Sequence, residues 1–262
     1  MNRIKKTFRS LAKEGRCGLI AFVTCGDPDP ESTVEVVLEL ERAGADCIEL
    51  GVPFSDPIAD GPVIQSSSHR ALKNGMTVSG CLQIAAKIRE RSQIPLVAFS
   101  YVNPLLRFGI DRFAEQSSRS GIDGLLTTDL PPEASDDVRG SLRRRGLSMM
   151  FLVSPTSTDA RIRLADKASD GFVYYVSTTG VTGVRRELDS TLVERLREVR
   201  GRLKNPMVVG FGVSGRAHYE ALSGVCDAVV VGSAIVRAVH DGDAAGAPGR
   251  AGDVVRSILG SE

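Results

Sequence analysis

Residues 49–62 read ELGVPFSDPIADGP, which sets two carboxylates, Glu49 and Asp60, eleven positions apart on either side of a proline-rich loop. Just before it, residues 46–52 alternate as a strand does, with Ile48, Leu50 and Val52 on one face and Cys47, Glu49 and Gly51 on the other. In a parallel barrel one such face meets the surrounding helices and the other the interior, so a glutamate on the inner face near the strand's end stands at the active-site mouth. Burial there raises a carboxyl's pKa towards neutrality, and a group tuned in that way gives and takes protons at working pH, worth about 10² to 10⁴ in rate. Asp60 follows Pro53, Asp56 and Pro57, in a loop that is shaped yet able to close. The alternative for Glu49 is a structural carboxylate paired with a lysine or arginine.

Such an arrangement needs a barrel around it. Short apolar runs recur at 18–24, 46–52, 95–101, 122–128, 148–153, 171–177, 206–211 and 226–231, each followed by a segment of helical periodicity. Eight strands alternating with helices predict a parallel sheet with right-handed crossovers, a single (β/α)₈ TIM barrel spanning residues 1–262. A doubly wound open sheet is the structural alternative. Ile4, Phe8 and Leu11 fall at helical spacing in a basic N-terminal stretch, which predicts a helix capping the barrel's lower end in preference to a transit peptide. The second strand is followed by two helix-like stretches, around 66–74 and 78–91, an extra helical insertion. Residues 178–188 make a long sixth loop, and long loops at this end of a barrel act as lids or substrate contacts. Residues 241–253 are low in complexity and read as a connector to a last helix at 254–259.

Composition narrows the partners. Thirty-three basic against thirty-two acidic residues give +1 with no basic half, so nothing calls for nucleic acid or an anionic membrane. The run Arg143-Arg144-Arg145 ends a helical segment, where cations complement the macrodipole. Five cysteines without a CxxC pair suit a reducing cytoplasm, and three scattered histidines form no metal-ligand set. No apolar run approaches the roughly 20 residues needed to span a bilayer.

Gly210-Phe211-Gly212 follows the seventh strand and Gly232-Ser233-Ala234 the eighth. Barrels bind phosphate between those two loops, where glycine lets backbone amides approach and a helix N-terminus favours an anion. Gly180-Val181-Thr182-Gly183 in the sixth loop offers further amides. The same alternation directs Phe22, Phe99, Tyr101, Leu125, Thr127, Phe172 and Tyr174 inward, an apolar cup suited to a flat aromatic group.

In order along the chain, LIAFVTCGDPD at 19, ELGVPFSDPIADGPVIQ at 49, TTDLPPEA at 127, YVSTTGVTG at 175, GFGVS at 210 and GSAIV at 232 resemble the motifs of one family, the alpha subunit of tryptophan synthase. That resemblance implies a carbon–carbon lyase that cleaves indole-3-glycerol phosphate to indole and glyceraldehyde 3-phosphate in L-tryptophan biosynthesis. It also implies that Glu49 moves the proton, that Asp60 binds the indole N–H and that Tyr174 assists Glu49. Phe22, Phe99, Tyr101, Thr127 and Asp129 would surround the substrate, and Thr182, Gly183, Gly210, Phe211, Gly212, Gly232 and Ser233 would hold its phosphate. The family implies no cofactor or metal in this chain. Pyridoxal phosphate is expected in a partner beta subunit, joined in a cytoplasmic alpha2beta2 heterotetramer. One departure stands out: many members carry an arginine where this chain has Thr178.

Two further enzyme readings share the fold. A free-standing lyase would release indole unaided, and a Schiff-base aldolase would want an inward lysine that none of the eight strands carries. A catalytically weak allosteric module is a third, against which Glu49, Asp60 and the phosphate loops all count.

Overall fold

Eight parallel strands, each hydrogen-bonded to the next and the last to the first, close into a barrel in the computed structural model, which describes residues 2–176, 190–210, 212–213 and 215–260. The elements run α1 (Arg3–Glu14), β1 (Gly18–Thr24), α2 (Pro30–Arg42), β2 (Cys47–Gly51), α3 (Pro62–Lys73), α4 (Val78–Arg89), β3 (Leu96–Ser100), α5 (Val102–Phe108), α6 (Ile110–Ser120) and β4 (Gly124–Thr127). They continue α7 (Asp136–Arg144), β5 (Ser148–Val153), α8 (Asp159–Ala168), β6 (Val173–Val176), α9 (Ser190–Arg200), β7 (Met207–Gly210), α10 (Arg216–Ser223), β8 (Ala228–Val231), α11 (Ser233–His240) and α12 (Ala247–Leu259). The doubly wound alternative is thereby excluded, and the helical insertion after the second strand is α3 and α4. No helix among the described residues is long and apolar enough to cross a membrane.

Local signals start and stop these elements. Asp29 accepts from the Ser32 N–H at 2.7 Å ahead of Pro30 in the first turn of α2, and Thr77 accepts from the Gly80 N–H at 3.1 Å to cap α4. Residues 241–253 do not form the expected long connector: α12 begins at Ala247, with Pro248 in its first turn. Proline at that position is pre-set for a helix, and small alanines and glycines let α12 pack closely on α2, so low complexity here reflects tight packing.

Strand alternation sorts the core into two layers. Leu19, Ile48, Leu96, Leu125 and Val229 join the helices outside, while Ile20, Cys47, Val97, Leu126, Met150, Phe172 and Val208 fill the barrel. The inner layer is closed from below by Ile4, Phe8 and Leu11 of α1, with Phe8 packed on Phe172 at 5.6 Å between ring centres. The capping helix is therefore part of the core, and burying its three apolar side chains contributes about 1.5–3 kcal/mol for each.

Three aspartates finish this lower end. Asp46, Asp123 and Asp227 stand one residue before β2, β4 and β8, and each accepts the first free N–H of the preceding strand: Leu19 at 2.9 Å, Leu96 at 3.0 Å and Met207 at 2.7 Å. Each is also paired with arginine, Asp46 with Arg16, Asp123 with Arg3 and Arg89, and Asp227 with Arg200.

Candidate active site

At the C-terminal ends of the strands lies a cavity of about 520 Å³, lined by Phe22, Glu49, Phe99, Tyr174 and Val230 from the barrel and by Asp60 from the loop after β2. Glu49 occupies the inner face, level with Phe22 on β1 and Val97 on β3. Its side chain has no exposure to solvent, and neither carboxylate oxygen has a hydrogen-bond partner among the described residues. No described lysine or arginine forms the structural ion pair that would have explained it. Burial alone pushes its pKa up to about 8, so near neutral pH it is mostly a neutral acid able to give a proton. Two residues further along β2, a Cβ on Gly51 would lie 2.5 Å from the Phe22 ring; the glycine lets that ring fold against the end of the strand.

Asp60 is presented by a loop that is tied down at several points. The Ala59 N–H donates to the Tyr101 hydroxyl at 2.9 Å, the Tyr101 ring packs on Phe54 at 5.1 Å, and Gln65 Nε2 donates to the Asp60 carbonyl at 2.8 Å. Burial raises the Asp60 carboxyl to about 6, against a smaller lowering from its hydrogen bond with Tyr101. It remains mostly ionised at neutral pH. The two carboxyls thus differ in charge state within one cavity, the condition under which one serves as acid and the other as a counter-charge.

Three rings form the cavity's apolar wall. Phe22 meets Phe99 edge-on at 5.4 Å, and Phe99 meets Tyr174 at 6.4 Å. Burial, and then the charges of Glu49 and Asp60, hold the Tyr174 phenol well above its ordinary pKa, so it stays protonated as a donor. Gly210 gives it room: any Cβ there would overlap the Tyr174 hydroxyl.

The far end of the cavity is built from backbone. Gly212, with φ at 33°, and Gly232 and Ser233 at the N-terminus of α11 line it. No described side chain caps α11, and first-turn N–H groups of a helix are a ready anion site. Among the described residues no three His, Cys, Asp or Glu side chains gather to hold a metal ion.

Nine of the residues proposed from sequence line this cavity: Phe22, Glu49, Asp60, Phe99, Tyr174, Gly210, Gly212, Gly232 and Ser233. Three do not. Tyr101 stands behind the loop as its anchor, and Asp129 is exposed, accepting from the Val102 N–H at 2.8 Å at the start of α5. Thr127 faces the outer layer. Leu126 pairs in register with Phe99 and Met150, both inward, so Leu126 and Thr128 face the cavity side and Leu125 and Thr127 do not. With two adjacent leucines in β4, hydrophobicity could not choose the face; the neighbouring strands' register does. Thr182, Gly183 and Phe211, together with Thr178, lie outside the described residues. Sequence reasoning missed Ile64, Thr128, Leu152, Ser157, Arg161 and Arg237, which also line the cavity. Of these, Leu152 was legible from alternation in β5.

This geometry agrees with the motifs, and a family model described as tryptophan synthase alpha chain matches residues 8–252. The chain belongs to that family. The tryptophan synthase alpha chains of Geobacter sp. strain M21 and Citrifermentans bemidjiense are 48% and 49% identical to it, over 90% of this chain and 89% of theirs. Among solved structures, the alpha subunit from Legionella pneumophila str. Paris superposes with a TM-score of 0.91 at 32% identity, covering 98% of this chain and 97% of that one. A chain of the tryptophan synthase a2b2 complex from Pyrococcus furiosus gives 0.86 at 38% identity, covering 93% and 98%. As a member, the chain is a lyase component of tryptophan synthase, the subunit that cleaves indole-3-glycerol phosphate.

Proposed function

We propose that Glu49 and Asp60 carry out this cleavage together in the cavity at the barrel's upper end. A carbon–carbon bond to indole does not break by expelling a bare indole carbanion. Protonated Glu49 gives its proton to indole C3, and the ring becomes a positively charged indolenine. Ionised Asp60 accepts a hydrogen bond from the ring N–H and stabilises that charge. Glu49, now a carboxylate, takes the proton of the glycerol hydroxyl. The carbon–carbon bond breaks, its electron pair returns to the ring, and indole and glyceraldehyde 3-phosphate leave with Glu49 reprotonated.

Tyr174, a protonated phenol in the same cavity wall, assists Glu49, Phe22 and Phe99 form an apolar wall against the flat ring, and the amides around Gly212, Gly232 and Ser233 hold the phosphate. The observation that carries this is the buried, unpartnered Glu49 carboxyl with its pKa near 8, in the same cavity as an ionised Asp60. No lysine lines the cavity among the described residues, which tells against a Schiff-base aldolase.

Residues 1–262 act as one barrel domain in this account, and no cofactor takes part in the cleavage. The Pyrococcus furiosus relative was solved within an a2b2 complex, which supports an alpha2beta2 assembly for this chain too. Indole then passes to a beta subunit carrying pyridoxal phosphate. Five free, buried thiols suit a cytoplasmic home. Purified chain supplied with indole-3-glycerol phosphate should release indole, and faster when a beta subunit is added. Full activity that a beta subunit leaves unchanged would make it a free-standing lyase, and no indole under either condition would sink the assignment.

A further inference from the structure

Among the described residues the cavity wall carries four charged side chains, and only one of them is ion-paired. Glu49 and Asp60 are the acids, Arg161 and Arg237 the bases. Arg161 is already paired with Glu133. Arg237 has neither an ion pair nor a hydrogen bond to any described residue. It is an exposed cation at the wall of a cavity whose far end is lined by Gly212, Gly232 and Ser233.

Helix geometry explains how it gets there. Arg237 lies four residues after Ser233, on the same face of α11 and one turn on. Side chains on a helix lean back towards its N-terminus, so a long arginine at this position reaches over the first turn. A cation in the last turn is also what the helix macrodipole favours, but His240 already stands at that end, and a merely dipole-directed arginine has no reason to line the cavity.

We propose that Arg237 is a substrate-recognition residue, which closes its guanidinium over the phosphate dianion held at the N-terminus of α11 and so selects phosphorylated substrates. This rests on the phosphate end of the cavity as assigned above. Helix-end amides present only about half an elementary charge, too little to match a dianion. A guanidinium supplies a full charge and a fork that fits two phosphate oxygens. Binding is then charge-assisted and weakens with salt.

The test uses the full chain with Arg237→Ala, Arg237→Lys and, as a control on the phosphate end, Gly232→Val. A Cβ at 232 meets Phe22 at 3.5 Å, an ordinary contact. Affinity is read with sn-glycerol 3-phosphate and inorganic phosphate, alongside KM, kcat and Tm. Arg237→Ala should raise KM and both dissociation constants by about tenfold or more, flatten their salt dependence, and leave kcat and Tm close to the parent's. Arg237→Lys should recover part of the loss, since it keeps the charge without the fork. If Gly232→Val weakens binding while Arg237→Ala does not, the phosphate end stands and the role of Arg237 is overturned. If neither weakens it, the phosphate end itself is wrong and Arg237 falls with it. A fall in Tm without any change in affinity would make Arg237 a helix-end residue and overturn the proposal.

Discussion

The two ends of this barrel treat shielded carboxylates in opposite ways. At the lower end Asp46, Asp123 and Asp227 each accept a strand N–H and each meet at least one arginine. At the upper end Glu49 is more deeply buried than any of them and its carboxyl has no hydrogen-bond partner among the described residues. A paired carboxylate completes a hydrogen-bond inventory that the strand ends would otherwise leave open. An unpaired one costs stability and is tolerated where it is put to use. The lower end is built to hold and the upper end to move a proton.

The contrast breaks most visibly at Glu49. Glu49→Gln should cut indole release by about 10³-fold, within the range for loss of a general acid and base, with melting behaviour kept or improved. Asp60→Asn should cost about 10²-fold, because an amide still reaches the ring N–H but brings no charge. Steady-state assays under saturating substrate check both, and a variant that kept most of its activity would remove that residue from the chemistry.

Asp123 sharpens the other half of the comparison. Asp123→Ala leaves Arg3, Arg89 and the Leu96 N–H without their shared acceptor, and should destabilise the fold by about 3 kcal/mol. Its kcat for the folded enzyme should stay near the parent's. Denaturant unfolding with a parallel assay separates the two effects, and a loss of kcat without a loss of stability would mean that the ends are not independent.

Much of this division was legible in the chain itself. Period-2 alternation put Glu49 on the inner face, and glycine pairs after the seventh and eighth strands marked the far end of the cavity. The rest depended on information outside any one segment. Thr127 was assigned to the wrong face because β4 carries adjacent leucines, and only its pairing with β3 and β5 fixes the register. Tyr101 and Asp129 follow their strands closely, yet they serve the backbone of a loop and a helix start, a choice made by tertiary hydrogen bonds. Arg161 and Arg237 lie within helices, and nothing in helical periodicity says which turn overhangs a cavity. The aspartates before β2, β4 and β8 do share a visible position, one residue ahead of an apolar run. Their significance appears only when the neighbouring strand supplies the N–H.

Glu49 waits as a neutral acid because no described residue pairs with its carboxyl. The direct measurement is a carbon-13 NMR titration of side-chain-labelled glutamates, with Glu49→Gln used to assign the resonance. A carboxyl titrating near 8, matched by an alkaline limb in kcat/KM, is the expected result. A Glu49 midpoint near the ordinary value of 4.5 would contradict it.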